Sequence, residues 1–367
     1  MISYFAGKLK RFFTAENISF ANKNQYVYVA NQGSNSISQY RIAAHGSLLP
    51  LAAASVKAGT TPVCIALSPS AKFAYVANQG GNNIGQYRIT AAGSLQKIAE
   101  PAAAGTAPVA IAIDPTGRFV YAVNNSSNEI SQYQIGAEGE LLVMTPATIA
   151  TGVVPVAITV DPSGKYAYVV NNSSQNIFQY VITDTGSLAS MTPASVDTGS
   201  SPRALALDPS GRYAYVVNRS DDSISQYEIG TTGGLTPMGT PVAAGKHPIS
   251  ITITPCGKYV YVTNQNGNSI SQYRVSENGG LIQMTPATVA SLVTPVSIAI
   301  DACGKYAFVS NISSNNISQF AIGKEGQLEA IPMNKWGDAS VAAEVSPRCV
   351  MVACLQVSDT CELYAKE

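Results

Sequence analysis

Six ionisable side chains fall within one stretch of an otherwise weakly charged chain: Arg203, Arg219, Asp221, Asp222, Lys246 and His247. Histidine titrates near neutral pH, so His247 is the candidate general base and the candidate catalytic residue. Arginine and lysine hold carboxylates and other anions. Both signs together with an imidazole are the materials of a polar ligand site, and all six are binding candidates. The plainer reading is a patch of solvated rim charges that pair weakly. The other histidine, His45, stands alone in a turn and reads as solvated.

The rest of the composition narrows the chemistry. Of 367 residues only 12% are charged, against about 25% in an average domain. The 22 basic and 22 acidic residues cancel. No basic stripe exists, which argues against nucleic acid as a partner. No apolar run reaches the roughly 18 residues of a membrane helix. Lys8, Lys10 and Arg11 are followed by Thr14, Glu16 and Asn17 where a signal peptide needs apolar residues. The expected location is the cytoplasm, or export without a classical signal. Six cysteines (Cys64, Cys256, Cys303, Cys349, Cys354, Cys361) match no zinc spacing and read as free thiols, with the C-terminal trio the exception to watch. Neither metal nor cofactor is expected. Asp114, Asp161, Asp208 and Asp301 recur once per repeat as turn caps, too few in any one place for calcium.

The elements that must position the six residues follow from a tandem repeat. Asn31, Asn78, Asn124, Asn171, Asn218, Asn264 and Asn311 each end a Tyr/Phe-x-x-Asn tetrad, spaced 46 or 47 residues apart. A constant step of this length marks one supersecondary unit copied in tandem. In residues 155–201, Val156–Val160 is a short β-branched strand, and Asp161-Pro-Ser-Gly164 is a turn. Tyr166–Asn171 and Ile177–Ile182 are the next two strands, and a weaker fourth lies around Leu188–Met191. Four antiparallel strands per unit, with no helical pattern, describe a propeller blade. Small residues such as Ala110, Ala112, Ala204, Ala206 and Ala299 suit an innermost strand crowded around an axis. The Gln-Tyr pairs of the third strand, such as Gln39-Tyr40 and Gln132-Tyr133, read as packing between blades.

The chain is therefore expected to be all-β, a single β-propeller domain over 1–367. Seven full repeats span about 17–340 and a degenerate repeat occupies 341–367. Val350–Leu355 would be the second strand of that eighth unit and Asp359–Tyr364 its third, with residues 2–13 closing the ring. Eight blades are expected, with seven as the alternative.

Tyr261-Val-Thr-Asn264 spells the signature of YVTN-repeat propellers. The wider unit (Ile-Ala-Ile-Asp-Pro, Tyr-Val-Val-Asn, Ile-Ser-Gln-Tyr, Gly-x-Leu) resembles the propeller lactonases, which include 6-phosphogluconolactonase and muconate-lactonising enzymes. That resemblance implies an Arg–His pair at the start of an inner strand. Here Arg203 is present and Ala204 stands where the histidine would be. The leading expectation is a scaffold that binds a protein, peptide or small polar ligand through its loop-rich face. The alternatives are a lactonase-type hydrolase acting on a carboxylated lactone and a cell-surface repeat protein. In each case the site is placed where copies differ, because shared residues serve the shared fold.

Overall fold

The computed structural model describes residues 25–331 and 340–354. Seven antiparallel sheets stand around a common axis. Six are built from consecutive segments, and their innermost strands are Pro62–Leu67, Pro108–Ile113, Pro155–Val160, Pro202–Leu207, Pro248–Ile253 and Pro295–Ile300. The remaining sheet, the first blade, takes Gln25–Asn31, Ser36–Ile42 and Leu48–Lys57 from one end of the chain. Its innermost strand is Pro347–Cys354, from the other end.

This pairing corrects the expected eight blades to seven. Pro347–Cys354 lies antiparallel to Gln25–Asn31, with Tyr28 opposite Met351. It is the missing inner strand of the first blade, not the second strand of an eighth. An apolar β run looks alike in either role, so the strand pattern alone did not separate them. The proposed closing strand at 2–13 and the proposed strand at 359–364 lie outside the described residues.

The repeated residues form the joints between blades. Each third-strand glutamine accepts a hydrogen bond from the first backbone N–H of the next blade's outer strand. The donors run Leu95, Leu141, Leu188, Leu235, Leu281, Leu328 and Leu48, at 2.6–2.7 Å. The last of these joins Gln319 of the seventh blade to the first, so the circuit closes. The third-strand tyrosine hydroxyl donates backwards, as Tyr133 does to the Ala103 carbonyl at 2.6 Å. The second-strand tyrosine donates forwards, as Tyr121 does to Gly186 at 2.6 Å. The seventh blade has Phe308 at that position. The apolar core is correspondingly not inside blades but between them: Tyr121 and Val123 of the third blade pack with Val169 and Tyr180 of the fourth.

Turns follow the expected chemistry. The Asp114 carboxylate accepts backbone N–H bonds from Thr116, Arg118 and Phe119, which satisfies a turn that has no ladder partner. The fourth strand differs from expectation. In the fourth blade it runs Leu188–Asp197, through Pro193, rather than stopping near Met191. An outermost strand has a free edge, so a proline without N–H costs no ladder bond there. The register slips at that point, and Gln179 Nε2 donates to the Pro193 carbonyl at 3.0 Å inside the bulge. Among the described residues, no helix is long and apolar enough to cross a membrane.

Candidate functional site

Strand order gives the propeller two unlike faces. On one face lie the loops that lead into each innermost strand and the loops between second and third strands. The fifth blade contributes Arg203, the second residue of its innermost strand, and Arg219, the residue after the buried Asn218. In sister blades the position of Arg203 holds Val63, Val109, Val156, Ile249 and Val296. The closing strand supplies a second arginine there, Arg348. The position of Arg219 is otherwise amide or apolar: Gln32, Gln79, Asn125, Asn172, Gln265 and Ile312.

Arg203 lies near enough to Arg219 and Arg348 to be acted on by both charges. Burial draws Arg203 below its ordinary pKa, and the charges of Arg219 and Arg348 push it further the same way. Burial alone lowers Arg348. Two amides are the only side chains seen to bond these guanidinium groups among the described residues. Arg219 donates to Gln265 Oε1 at 3.3 Å, and Arg348 Nε donates to Gln32 Oε1. The Nε atoms of Arg203 and Arg219 are buried without a partner. The ion pairs seen among the described residues, Arg88–Glu138 and Lys97–Glu100, lie elsewhere. Clustered half-buried cations without a counter-charge favour an anion that joins them. What this arrangement can do is bind one.

The remaining four candidates divide differently. Asp222 sits in a left-handed bend at φ 49°, as Asn35, Asn82, Asn128, Asn268 and Asn315 do in their blades. Its Oδ1 accepts the His247 backbone N–H at 2.7 Å, the bond those asparagines make with the next lead-in loop. Asp221 Oδ2 accepts the Ser200 N–H at 2.6 Å, the part that Ser127 and Ser174 play elsewhere. Both carboxylates thus serve their loops and do not neutralise the arginines. Lys246 is exposed. His247 is half-buried in the bend before Pro248, with Nδ1 buried and unpartnered. No hydrogen bond joins its ring to the three arginines among the described residues. Close approach holds the loop ahead of Arg203: a Cβ on Gly199 would lie 2.7 Å from the Asn218 side chain.

Arg348, Gln32 and Gln265 escaped the sequence reading. One signal was available, since Ser346-Pro347-Arg348 repeats Ser201-Pro202-Arg203. Around the arginines the same face carries exposed apolar lead-in residues: Val153, Leu292, Val293 and Val345. A shallow hollow of about 210 Å³ beside Asp197, Gly199 and Pro237 lies outside this cluster. Among the described residues, no group of three His, Cys, Asp or Glu side chains forms a metal centre.

The family described as lactonase, 7-bladed beta-propeller, matches residues 3–107, 100–200, 139–249 and 244–350. The chain belongs to that family. A solved structure from Bacteroides fragilis, described as a 6-phosphogluconolactonase, superposes with a TM-score of 0.79 at 21% identity, covering 92% of this chain and 100% of that one. The periplasmic gluconolactonase of Pseudomonas aeruginosa superposes with a TM-score of 0.77 at 20% identity, covering 91% and 100%. At such identities the likeness is one of fold. Among curated proteins, none matches the sequence.

Proposed function

We propose that the protein is a lactonase-type hydrolase that takes an anionic, carboxylate- or phosphate-bearing lactone at the axial mouth. The observation that carries this reading is the nearness of Arg219 and Arg348 to Arg203 without a counter-charge. Lactone hydrolysis adds water to the ring carbonyl, develops an oxyanion and releases the ring oxygen as a hydroxyl. A preorganised guanidinium stabilises that developing charge more than it stabilises the neutral carbonyl. A second guanidinium holds the substrate's own anion and so fixes the carbonyl's position. His247 is the candidate base for the attacking water. The apolar residues Val153, Val293 and Val345 would border the sugar-like ring of the substrate.

The test is acid release from 6-phosphoglucono- and gluconolactone, the compounds that the relatives' names indicate. The phosphorylated lactone is expected to be preferred. Arg203→Ala and Arg348→Ala are each expected to lower kcat/KM by about 100-fold, and His247→Ala to lower kcat. No turnover above the uncatalysed rate with either compound would end the enzyme reading for these substrates.

A binding scaffold is the second reading. It is favoured by one observation: Asp221 and Asp222 are committed to loop backbone, which leaves no carboxylate beside the arginines for acid–base work. It predicts that anionic ligands bind in an Arg203-dependent manner and emerge unchanged.

A further inference from the structure

Two thiols meet at the seam where the ring is closed. Cys349 is the third residue of the C-terminal innermost strand, and Cys64 is the third residue of the innermost strand of the second blade. The same position is Ala110, Ala157, Ala204, Ser250 and Ser297 in the other blades. At this level neighbouring innermost strands touch: Val350 N–H donates to Ser297 Oγ at 3.4 Å, and Ile65 N–H donates to Cys349 Sγ at 3.4 Å. The two thiols share one acceptor: Cys64 Sγ donates to the Ile65 carbonyl at 3.9 Å and Cys349 Sγ to the same carbonyl at 4.0 Å. The neighbouring Cys349 thiol draws Cys64 below its usual range, while the Cys64 thiol and burial push Cys349 well above its own. Both residues are half-buried.

We propose that Cys64 and Cys349 form a disulfide that locks the propeller at its closure. The oxidant is a low-molecular-weight disulfide. The Cys64 thiolate attacks one of its sulfurs, forming a mixed disulfide and releasing one small thiol. Cys349 then loses its proton and attacks the Cys64 sulfur, releasing the second small thiol. Two protein thiols are oxidised to one disulfide, one small disulfide is reduced to two thiols, and the protons leave on those thiols. Without the disulfide, the C-terminal strand is held by noncovalent contacts: its ladder with Gln25–Asn31, side-chain packing, and the bonds to Ser297, Ile65 and Gln32. With it, the strand is tied covalently to the second blade, and the closed loop contains almost the whole ring. Long loops gain most from a cross-link in the chain-entropy account. Arg348 is the neighbour of Cys349, so the lock also fixes one of the mouth arginines, although the inference stands without the proposed activity.

The test equilibrates the full chain in glutathione buffers from reduced to oxidised. Free thiols are alkylated, and an unreduced digest is sequenced by tandem mass spectrometry. A Cys64–Cys349 link is expected in the oxidised buffers, with a melting temperature about 5 °C higher than in the reduced ones. Cys64→Ala and Cys349→Ala should abolish both effects while keeping the fold, because alanine fills this position in three blades. The proposal fails if both thiols are still alkylated at full oxidation. It also fails if Cys349 links instead to Cys354 or Cys361, or if the link forms with no rise in melting temperature.

Discussion

Asp222 illustrates how a charged residue is read differently once its partners are known. Its type and its neighbours suggested a site carboxylate. Its left-handed backbone and its bond to the His247 N–H make it the fifth blade's version of an asparagine found in five others. Either side chain offers the oxygen that the bond requires. Asp222→Asn is therefore expected to leave stability within about 0.5 kcal/mol of the parent and to leave anion binding intact. Urea denaturation and a phosphate titration check this; a large loss in either would show that the negative charge itself matters at the mouth. Arg203 gives the opposite lesson. Its type was informative, but its partner Arg348 lies in a distant segment that the strand pattern had placed in another blade. A residue's chemistry is local, whereas its company depends on which strands pair.

For the elements, periodicity served well, because strand and turn propensities act over a few residues. The Asp-Pro-Ser-Gly turns and the second and third strands lie where the repeat put them. What periodicity did not show is why glutamine recurs on the third strand. Each one bonds across the gap to the next blade's Leu N–H, and five of them, Gln132 included, also donate back to a carbonyl of their own blade's outer segment. Gln132 thus satisfies two polar groups that a sheet ladder leaves open. Gln132→Leu would leave the buried Leu188 N–H unpaired. The expected cost is about 1–3 kcal/mol, read as a lower urea midpoint. An unchanged midpoint would mean that the joint is redundant. The outer strands were underestimated for a related reason. Proline signals a break in most contexts, but a free edge removes the penalty, and Leu188–Asp197 continues through Pro193.

The whole molecule titrates as a ring of buried phenols. Burial pushes Tyr87, Tyr133, Tyr180, Tyr227 and Tyr273 up to about 12 from the ordinary 10.0. The folded state therefore holds protons that the unfolded chain releases first. The stabilisation is complete below about pH 10, shrinks as pH rises from 10 towards 12, and is gone above that. Stability measured by urea at pH 9, 10 and 11 should fall across the series. A flat profile would mean that the hydroxyls reach solvent readily.

The order of residues is enough to specify the blade: its four strands, its capped turns and its repetition. These follow from short-range rules about burial alternation, proline, glycine and side-chain caps. It also located the sector where the copies differ, with Arg203 and Arg219 at its centre. The number of blades needs the folded ring, because it depends on the pairing of Gln25–Asn31 with Pro347–Cys354 from opposite ends of the chain. The same closure brings Arg348 to Arg203 and Cys349 to Cys64. Ring geometry makes neighbours of segments that no local pattern connects, and both the candidate anion site and the thiol seam depend on it.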